Sequence, residues 1–552
     1  MKKLLAFGVL CVVALSSVGA VQRPPLSEAD ILDLAQILKL EDTRQFDEAA
    51  LTRLLASKHP EVKRRAVVAV GRIVNPGGSA LLLPLRTDPS AEIVATVAFA
   101  SGQLKEATAV AWLGQLLNTS TTPSPVSFEA VRALGKIRTP EAWAALSAYL
   151  MKPAGSSVTS AVMGEALLSM GRFTTREDIA PIVKWSTASD AEVRWRAAWA
   201  LFRPRNPAAV PTLLKLTEDS SAEVRFWAAR GLAPLPAPAP ATPGAEPERP
   251  TGPDPAVKAA RLRAMLKDSD RRVRTESLRA LMGYDDDASF AAVFAALDDP
   301  DTWISVSAAE TVGRHTARKD VVGPKLTAII ADEKKPSALR TVAQQQLTRL
   351  NAPPPDPNAP RGGGAGRGAR SAGAGQAGQA GRAGGAGQAP QATVPARTDA
   401  DYRAIVERWI VPAHNGAPKP RAIWMTPKGE IEMELHAADA PLGMEELVRL
   451  TESGALVGTA FTRLVPNFVA QQAGVRGANR LRDEVSRLGL TRGNLAWASS
   501  GLDTGRAGYT LGNTPQPHNE GDFTALGRVI RGMDVVDRLE LGDAVTAARL
   551  VR

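Results

Sequence analysis

Nine times between residues 59 and 350 the chain opens a helix in the same way. The segments are "HPEVKRRAVVAVGRI", "DPSAEIVATVAFASGQL", "SPVSFEAVRALGKI", "SSVTSAVMGEALLSMGRF", "SDAEVRWRAAWALFRP", "SSAEVRFWAARGLAPL", "SDRRVRTESLRALMGY", "PDTWISVSAAETVGRH" and "KPSALRTVAQQQLTRL". The apolar residue that starts each one is Val62, Ile93, Val126, Val162, Val193, Val224, Val273, Ile304 and Leu339, at intervals of 31, 33, 36, 31, 31, 49, 31 and 35 residues. A second amphipathic segment and a turn lie between them, as in "AAVPTLLKLTED" at 208–219. Neither helix of such a unit can bury its apolar face alone, so the units must stack into an α-solenoid. A small residue often follows nine positions after the anchor (Gly71, Gly102, Gly135, Gly171, Ala233 and Gly313). It is expected to end the helix in the left-handed conformation.

The pairs Val193-Arg194, Val224-Arg225 and Val273-Arg274 follow closely on Asp190, Asp219 and Asp270. In this the repeats resemble the short HEAT-like family, over residues 28–350. The resemblance implies that these acids and arginines pair between neighbouring repeats, and that the arm binds another protein. The 49-residue interval holds an insert at 234–255, "PLPAPAPATPGAEPERPTGPDP", whose nine prolines favour an extended polyproline loop. Residues 351–398 are a Gly/Ala/Gln-rich linker with too little apolar surface to fold.

At the N-terminus, Lys2 and Lys3 precede an apolar run from Leu4 to Leu15 and the small residues Val18-Gly19-Ala20. That is the layout of a signal peptide, residues 1–20, and implies export to a periplasm or to the outside. No later run is long enough for a membrane span. The one cysteine, Cys11, lies inside the leader, so the mature chain is expected to lack disulfides, thiol nucleophiles and cysteine-ligated metal. The net charge of +10 invites a nucleic-acid partner. Its arginines recur with the repeat instead of clustering, which reads as solvation of one helix face. No nucleic acid is therefore expected as a partner.

The last 150 residues change period. A short helical lead-in and loop at 399–420 gives way to "RAIWMT-PKG-EIEMELH", two strands about a turn. The helix "APLGMEELVRLTESG" follows, then the strands "TAFTRLV", "FVAQQ", "GNLAWAS" and "FTALGRVI", and the short helix "GMDVVDRLE". Short strands with two helices suggest a closed antiparallel β-barrel over 421–552. Glu445-Glu446 reads as a solvated helix face. His436 and His518 lack metal-ligand spacing and are expected at the surface or in turns, so no metal or other cofactor is expected.

"FTRLVPNFVAQQAG" (461–474), "RGNLAWASSGLDTG" (492–505) and "PQPHNEGDFTALGRVIRGMDVVDRL" (515–539) occur in the order of the cyclophilin motifs. The region resembles a cyclophilin-type peptidyl-prolyl isomerase. Prolyl isomerisation is limited by amide resonance, a barrier of about 18–20 kcal/mol, and needs no nucleophile or metal. A fixed guanidinium that donates to the twisted amide weakens resonance only in the transition state. The resemblance places Arg463 in that role. It assigns Phe468 and Val469 to the proline pocket, Gln471 to the substrate backbone, and Trp497, Ala498, Ser499, Thr510 and Phe523 to the rest of the binding surface. The sequence departs from the family where Thr462 replaces a histidine, Gly508 a glutamine, Thr510 a phenylalanine and Asn519 a leucine. The expected partners are proline-containing polypeptides and a protein held on the solenoid. One function is an exported folding isomerase; the alternative is a scaffold that binds proline segments without turnover. A third reading has the insert at 234–255 occupy the pocket in cis.

Overall fold

The structure, a computed structural model, describes residues 23–118, 124–152, 160–173, 178–234, 253–352, 394–499, 501–506 and 508–551. The leader with Cys11, most of the insert and most of the linker lie outside the described residues. No described helix is long and apolar enough to cross a membrane.

The nine repeated segments form helices α1 (Pro60–Ile73), α2 (Ala91–Gln103), α3 (Ser124–Ile137), α4 (Ser160–Met170), α5 (Ala191–Phe202), α6 (Ala222–Gly231), α7 (Arg271–Leu281), α8 (Thr302–Val312) and α9 (Ser337–Asn351). They pack side by side in chain order, with further helices between them. All nine anchors are at most 3% exposed. Asp190 and Asp270 cap α5 and α7 by accepting from the amides of Glu192 and Arg272, a contact usually worth about 1 kcal/mol. The ladder between repeats is present, with one shift of register. Arg194 pairs with Asp219 at 2.7 Å and Arg225 with Asp268 at 2.7 Å, which leaves Asp270 to its cap.

The repeated glycines have a different cause from the one expected. Gly71, Gly102 and Gly135 lie inside α1, α2 and α3. A Cβ there would come within 3.0 Å of Ala100 Cα, 2.8 Å of Ala133 Cα and 2.5 Å of Ser169 Cβ respectively. Close approach of successive helices requires them. The left-handed residues come later, at Val74, Lys105, Arg138 and Arg205.

The strand-rich region contains β1 (Arg421–Thr426), β2 (Gly429–Leu435), β3 (Phe461–Val465), β4 (Val469–Gln472), β5 (Arg480–Leu481), β6 (Asn494–Trp497), β7 (Gly505–Arg506), β8 (Tyr509–Gly512), β9 (Ala525–Arg531) and β10 (Ala547–Val551). Eight of them form one antiparallel sheet in the order β10-β1-β2-β9-β6-β8-β4-β3, while β5 pairs with β7. The sheet curls around a core that includes Trp424, Met433, Phe461, Leu495, Trp497, Tyr509 and Leu511. The helices Pro441–Glu452 and Met533–Val536 pack against it. The expected closed barrel is not formed by strand pairing, because β3 and β10 share no ladder. A single bridge, Ala460 to Ala544, joins the segments preceding them. Neighbouring bonds from the Phe461 amide to Asp543 O (2.7 Å) and the Val545 amide to Thr459 O (3.1 Å) reinforce it. Glu446 is buried, not solvated, and holds Arg449 and Asn479.

The sheet domain sits against the inner helices of the solenoid. Arg72 of α1, 5% exposed, pairs with Glu41 at 2.6 Å and donates to the carbonyls of Val485, Asp439 and Glu484. Gln103 of α2 donates to Gly521 O and Arg132 of α3 to Arg487 O. Arg487 returns to Glu92 and Glu129. The lead-in helix Asp399–Ile405 is tied to the first solenoid helix, where Tyr402 and Arg397 both hold Asp42. Arg72 and Arg132, among the arginines expected to face water, are therefore interface donors.

Candidate functional site

Strand register builds the site on the sheet face opposite the core. Arg463 of β3 lies opposite Gln471 of β4, Gln471 opposite Thr510 of β8, Thr510 opposite Ala496 of β6, and Ala496 opposite Ala525 of β9. Directly opposed residues share a face, so these five side chains form a row. Their neighbours Ala470, Leu511 and Leu495 point the other way, into the core.

Within the row, Arg463 Nη1 donates to Gln471 Oε1 at 2.9 Å. Its guanidinium carbon lies 5.7 Å from the centre of the Phe468 ring. Among the described residues Gln471 is the hydrogen-bond partner of that guanidinium, which leaves most of its five donors available. The Thr510 hydroxyl donates to Ala496 O at 3.3 Å. Phe523 packs on a small apolar group of Leu490, Ala496 and Ala525, so an aromatic ring adjoins the end of the row beyond Thr510.

The turn between β3 and β4 is fixed from several sides. Phe468 O accepts from the Asn513 amide and from the Gln516 side chain, and Asn467 O accepts from the Thr514 hydroxyl. The ring of His518 stacks on Phe468 with centroids 5.8 Å apart. Of the surface or turn position expected for His518, the turn is present, but the ring is packed and its pKa is pushed down to about 3. Burial is the main cause, followed by the charges of Arg203, Arg230 and Arg172.

The other candidate residues divide. Val469 is buried opposite Gly512. The Ala498 amide donates to Gly508 O at 2.7 Å, and Ser499 is partly buried with a hydroxyl that has no partner among the described residues. Trp497 does not belong to this face. It alternates with Ala496 along β6 and stacks on Tyr509 in the core, 4.7 Å between ring centres. At Gly508 the backbone lies against the carbonyls of Gln472 and Ala473, 3.0 and 3.3 Å from where a Cβ would be. A glutamine there would require the backbone to move.

The solenoid reaches the same place, which the sequence pattern did not indicate. Arg279 of α7 donates to Pro466 O at 2.9 Å, and Asn467 donates to Arg272 O at 2.9 Å. Burial, and then the charge of Arg279, holds the Arg463 pKa below its ordinary value, partly offset by Glu310 of α8. Burial raises the Glu310 pKa. The chemical capacity of the arrangement is that of an oriented cation beside an aromatic wall. It can grip an apolar ring and donate to an adjacent amide.

Residues 422–551 match the family model described as "Cyclophilin type peptidyl-prolyl cis-trans isomerase/CLD", and residues 79–167 and 179–243 match "HEAT repeats". A peptidyl-prolyl cis-trans isomerase of Helicobacter pylori is 32% identical over 130 residues, which is 22% of this chain and 80% of that protein. One of Synechococcus elongatus is 28% identical over 139 residues, 24% of this chain and 96% of that protein. A crystal structure of a Cryptosporidium parvum cyclophilin-type isomerase aligns at 17% identity with a TM-score of 0.23, covering 24% of this chain and 98% of that one.

Proposed function

The chain belongs to the cyclophilin-type peptidyl-prolyl cis-trans isomerase family, and on that premise we propose that it isomerises prolyl bonds in polypeptides, as an exported folding assistant. The carrying observation is the row in which Gln471 orients Arg463 beside the ring of Phe468. The proline ring rests against Phe468 and Val469. As the amide twists, its nitrogen becomes a better acceptor, and a free N–H of Arg463 donates to it. That contact strengthens only on approach to the transition state, so it lowers the barrier without merely tightening binding. Gln471 has a second task, to hold the substrate backbone in register with the guanidinium.

The inner solenoid helices hold the catalytic domain in place, so capture of a client or a partner protein falls to the outer helices. Export rests on the leader at 1–20, and N-terminal sequencing of the mature protein, expected to begin at Val21, checks it.

The test is exchange NMR on an Ala-Pro peptide with the full-length protein and Arg463→Ala. A rate well above the spontaneous one, lost in the variant, supports the reading. Equal, near-background rates would sink it. The scaffold alternative draws on Gly508 and Thr510, which offer the pocket no large side chain. Undiminished peptide binding together with background turnover is the result that favours it.

A further inference from the structure

Three arginines from three successive repeats bring their charges to bear on His518, whose ring stacks on Phe468 of the proline site. Arg172 follows α4 and donates through Nη2 to the carbonyls of Pro517 (2.7 Å) and Glu520 (3.1 Å), on either side of that histidine. Arg230 of α6 pairs with Glu276 at 2.9 Å and lies 5.2 Å from the centre of the Trp227 ring. Arg203, just after α5, stacks on Trp199 at 5.4 Å and has no ion pair among the described residues. Among the described residues its Nε is buried with no hydrogen-bond acceptor, as is the Nε of Arg172.

Two carboxylates lie close to this group, and each has a partner outside Arg203. Glu276 is held by Arg230, and Glu520 by the amide of Leu490 at 3.0 Å, with Arg132 3.7 Å away. Like charges gathered in a partly buried place oppose folding unless something offsets them. Burial and the neighbours Arg172 and Arg230 pull the Arg203 pKa down to about 10, the mark of a cation without its counter-charge. An arrangement that costs stability and sits beside a site is best explained by a ligand.

We propose that Arg172, Arg203 and Arg230 form an anion subsite next to Phe468, so that the substrates are peptides with an acidic side chain adjacent to the proline. The inference rests on the isomerase reading for the proline and on the solenoid for the anion. The ring of His518 lies between them: it stacks on Phe468, and Arg172 donates to the carbonyls on either side of it. Because these arginines come from the repeats, the solenoid is a specificity element of the active site.

The test uses the full-length protein and prolyl peptides identical except beside the proline, where they carry glutamate, phosphoserine, alanine or lysine. Both isomerisation and calorimetric affinity are read. The glutamate or phosphoserine peptide is expected to bind about tenfold tighter than the alanine peptide, with lysine weakest, and salt should erode the preference. The tighter of the two anionic peptides identifies carboxylate or phosphate as the preferred group. Arg203→Gln should abolish most of the preference and Arg203→Lys should retain part of it. Arg203→Gln should also melt no lower than wild type, since it removes an unbalanced charge. Equal affinity across the series, a preference unchanged in Arg203→Gln, or binding of none of the peptides overturns the inference. The two readings separate. Turnover without an acid preference defeats the subsite and leaves the isomerase standing. An Arg203-dependent acid preference without turnover does the reverse.

Discussion

Arg279 on the seventh inner helix donates to the carbonyl of Pro466 at 2.9 Å, across 187 positions of sequence. Pro466 lies between Arg463 and Phe468, so a solenoid side chain buttresses the turn that sets the distance between the catalytic cation and its aromatic wall. The active site is thereby a property of both halves of the chain.

Arg463→Lys should lower kcat/KM by about 10²–10³, close to the effect of Arg463→Ala. An ammonium keeps the charge but cannot hold Gln471 with one N–H while offering another in a fixed plane to the amide. Steady-state rates on an Ala-Pro peptide check this, and a lysine variant with near-wild-type kcat would contradict the fork geometry.

Trp497 and Phe523 should separate stability from binding. Trp497→Ala opens a cavity beside Tyr509 and should cost roughly 3–5 kcal/mol of stability. Phe523→Ala loses part of an apolar wall on the site face and should raise KM about tenfold with a small change in melting temperature. Thermal melts and kinetics on both variants test the assignment of the two rings to opposite faces.

Arg72→Ala should loosen the junction between the domains. It deletes three bonds to the carbonyls of Val485, Asp439 and Glu484 and leaves Glu41 buried without its partner. Breaking a buried pair in this way costs about 3–5 kcal/mol. Calorimetry should resolve the melting into two transitions in the variant, against closer coupling in the wild type.

The pH dependence of stability should have two opposed arms. Burial raises the Glu484 pKa to about 7 and that of Asp483 to about 6, both above their unfolded values. The stability they contribute is full below those unfolded values and is lost as pH rises through 6 to 7. The His518 pKa is depressed to about 3, so its contribution is full above its unfolded value near 6.5 and is lost as pH falls toward 3. Glu484→Gln should flatten the neutral arm and His518→Phe the acid arm. Melting temperatures between pH 4 and 8 give the readout.

The sequence made the repeats and the strands legible because both are written in apolar periodicity. Every anchor from Val62 to Leu339 is buried where the spacing placed it. Arg463, Phe468, Gln471 and Thr510 were found through motif order, and strand register then brought three of them into one row. Trp497 was misplaced because a motif position does not state which way a strand residue points; the alternation along β6 does. The glycines were misread because a helix end and a close helix crossing favour the same residue. The docking of the two halves was illegible for a deeper reason. A row of arginines on an amphipathic helix looks the same whether it meets water or the carbonyls of another domain, and Arg72, Arg132 and Arg279 meet carbonyls. The arginines around His518 were hidden likewise, since residues 172, 203 and 230 belong to separate repeats and no local pattern links them.

The polar character of that junction bears on how the chain is made. Arg44 pairs with Asp503, 459 positions later, so at ribosomal speeds of about 5–20 residues per second the early helices wait roughly half a minute to a minute and a half for their partner. A docking face made only of leucine and phenylalanine would be an aggregation hazard for all of that time. The arginines and glutamine that line part of this junction can wait in water and exchange solvent for carbonyls when the last strands arrive.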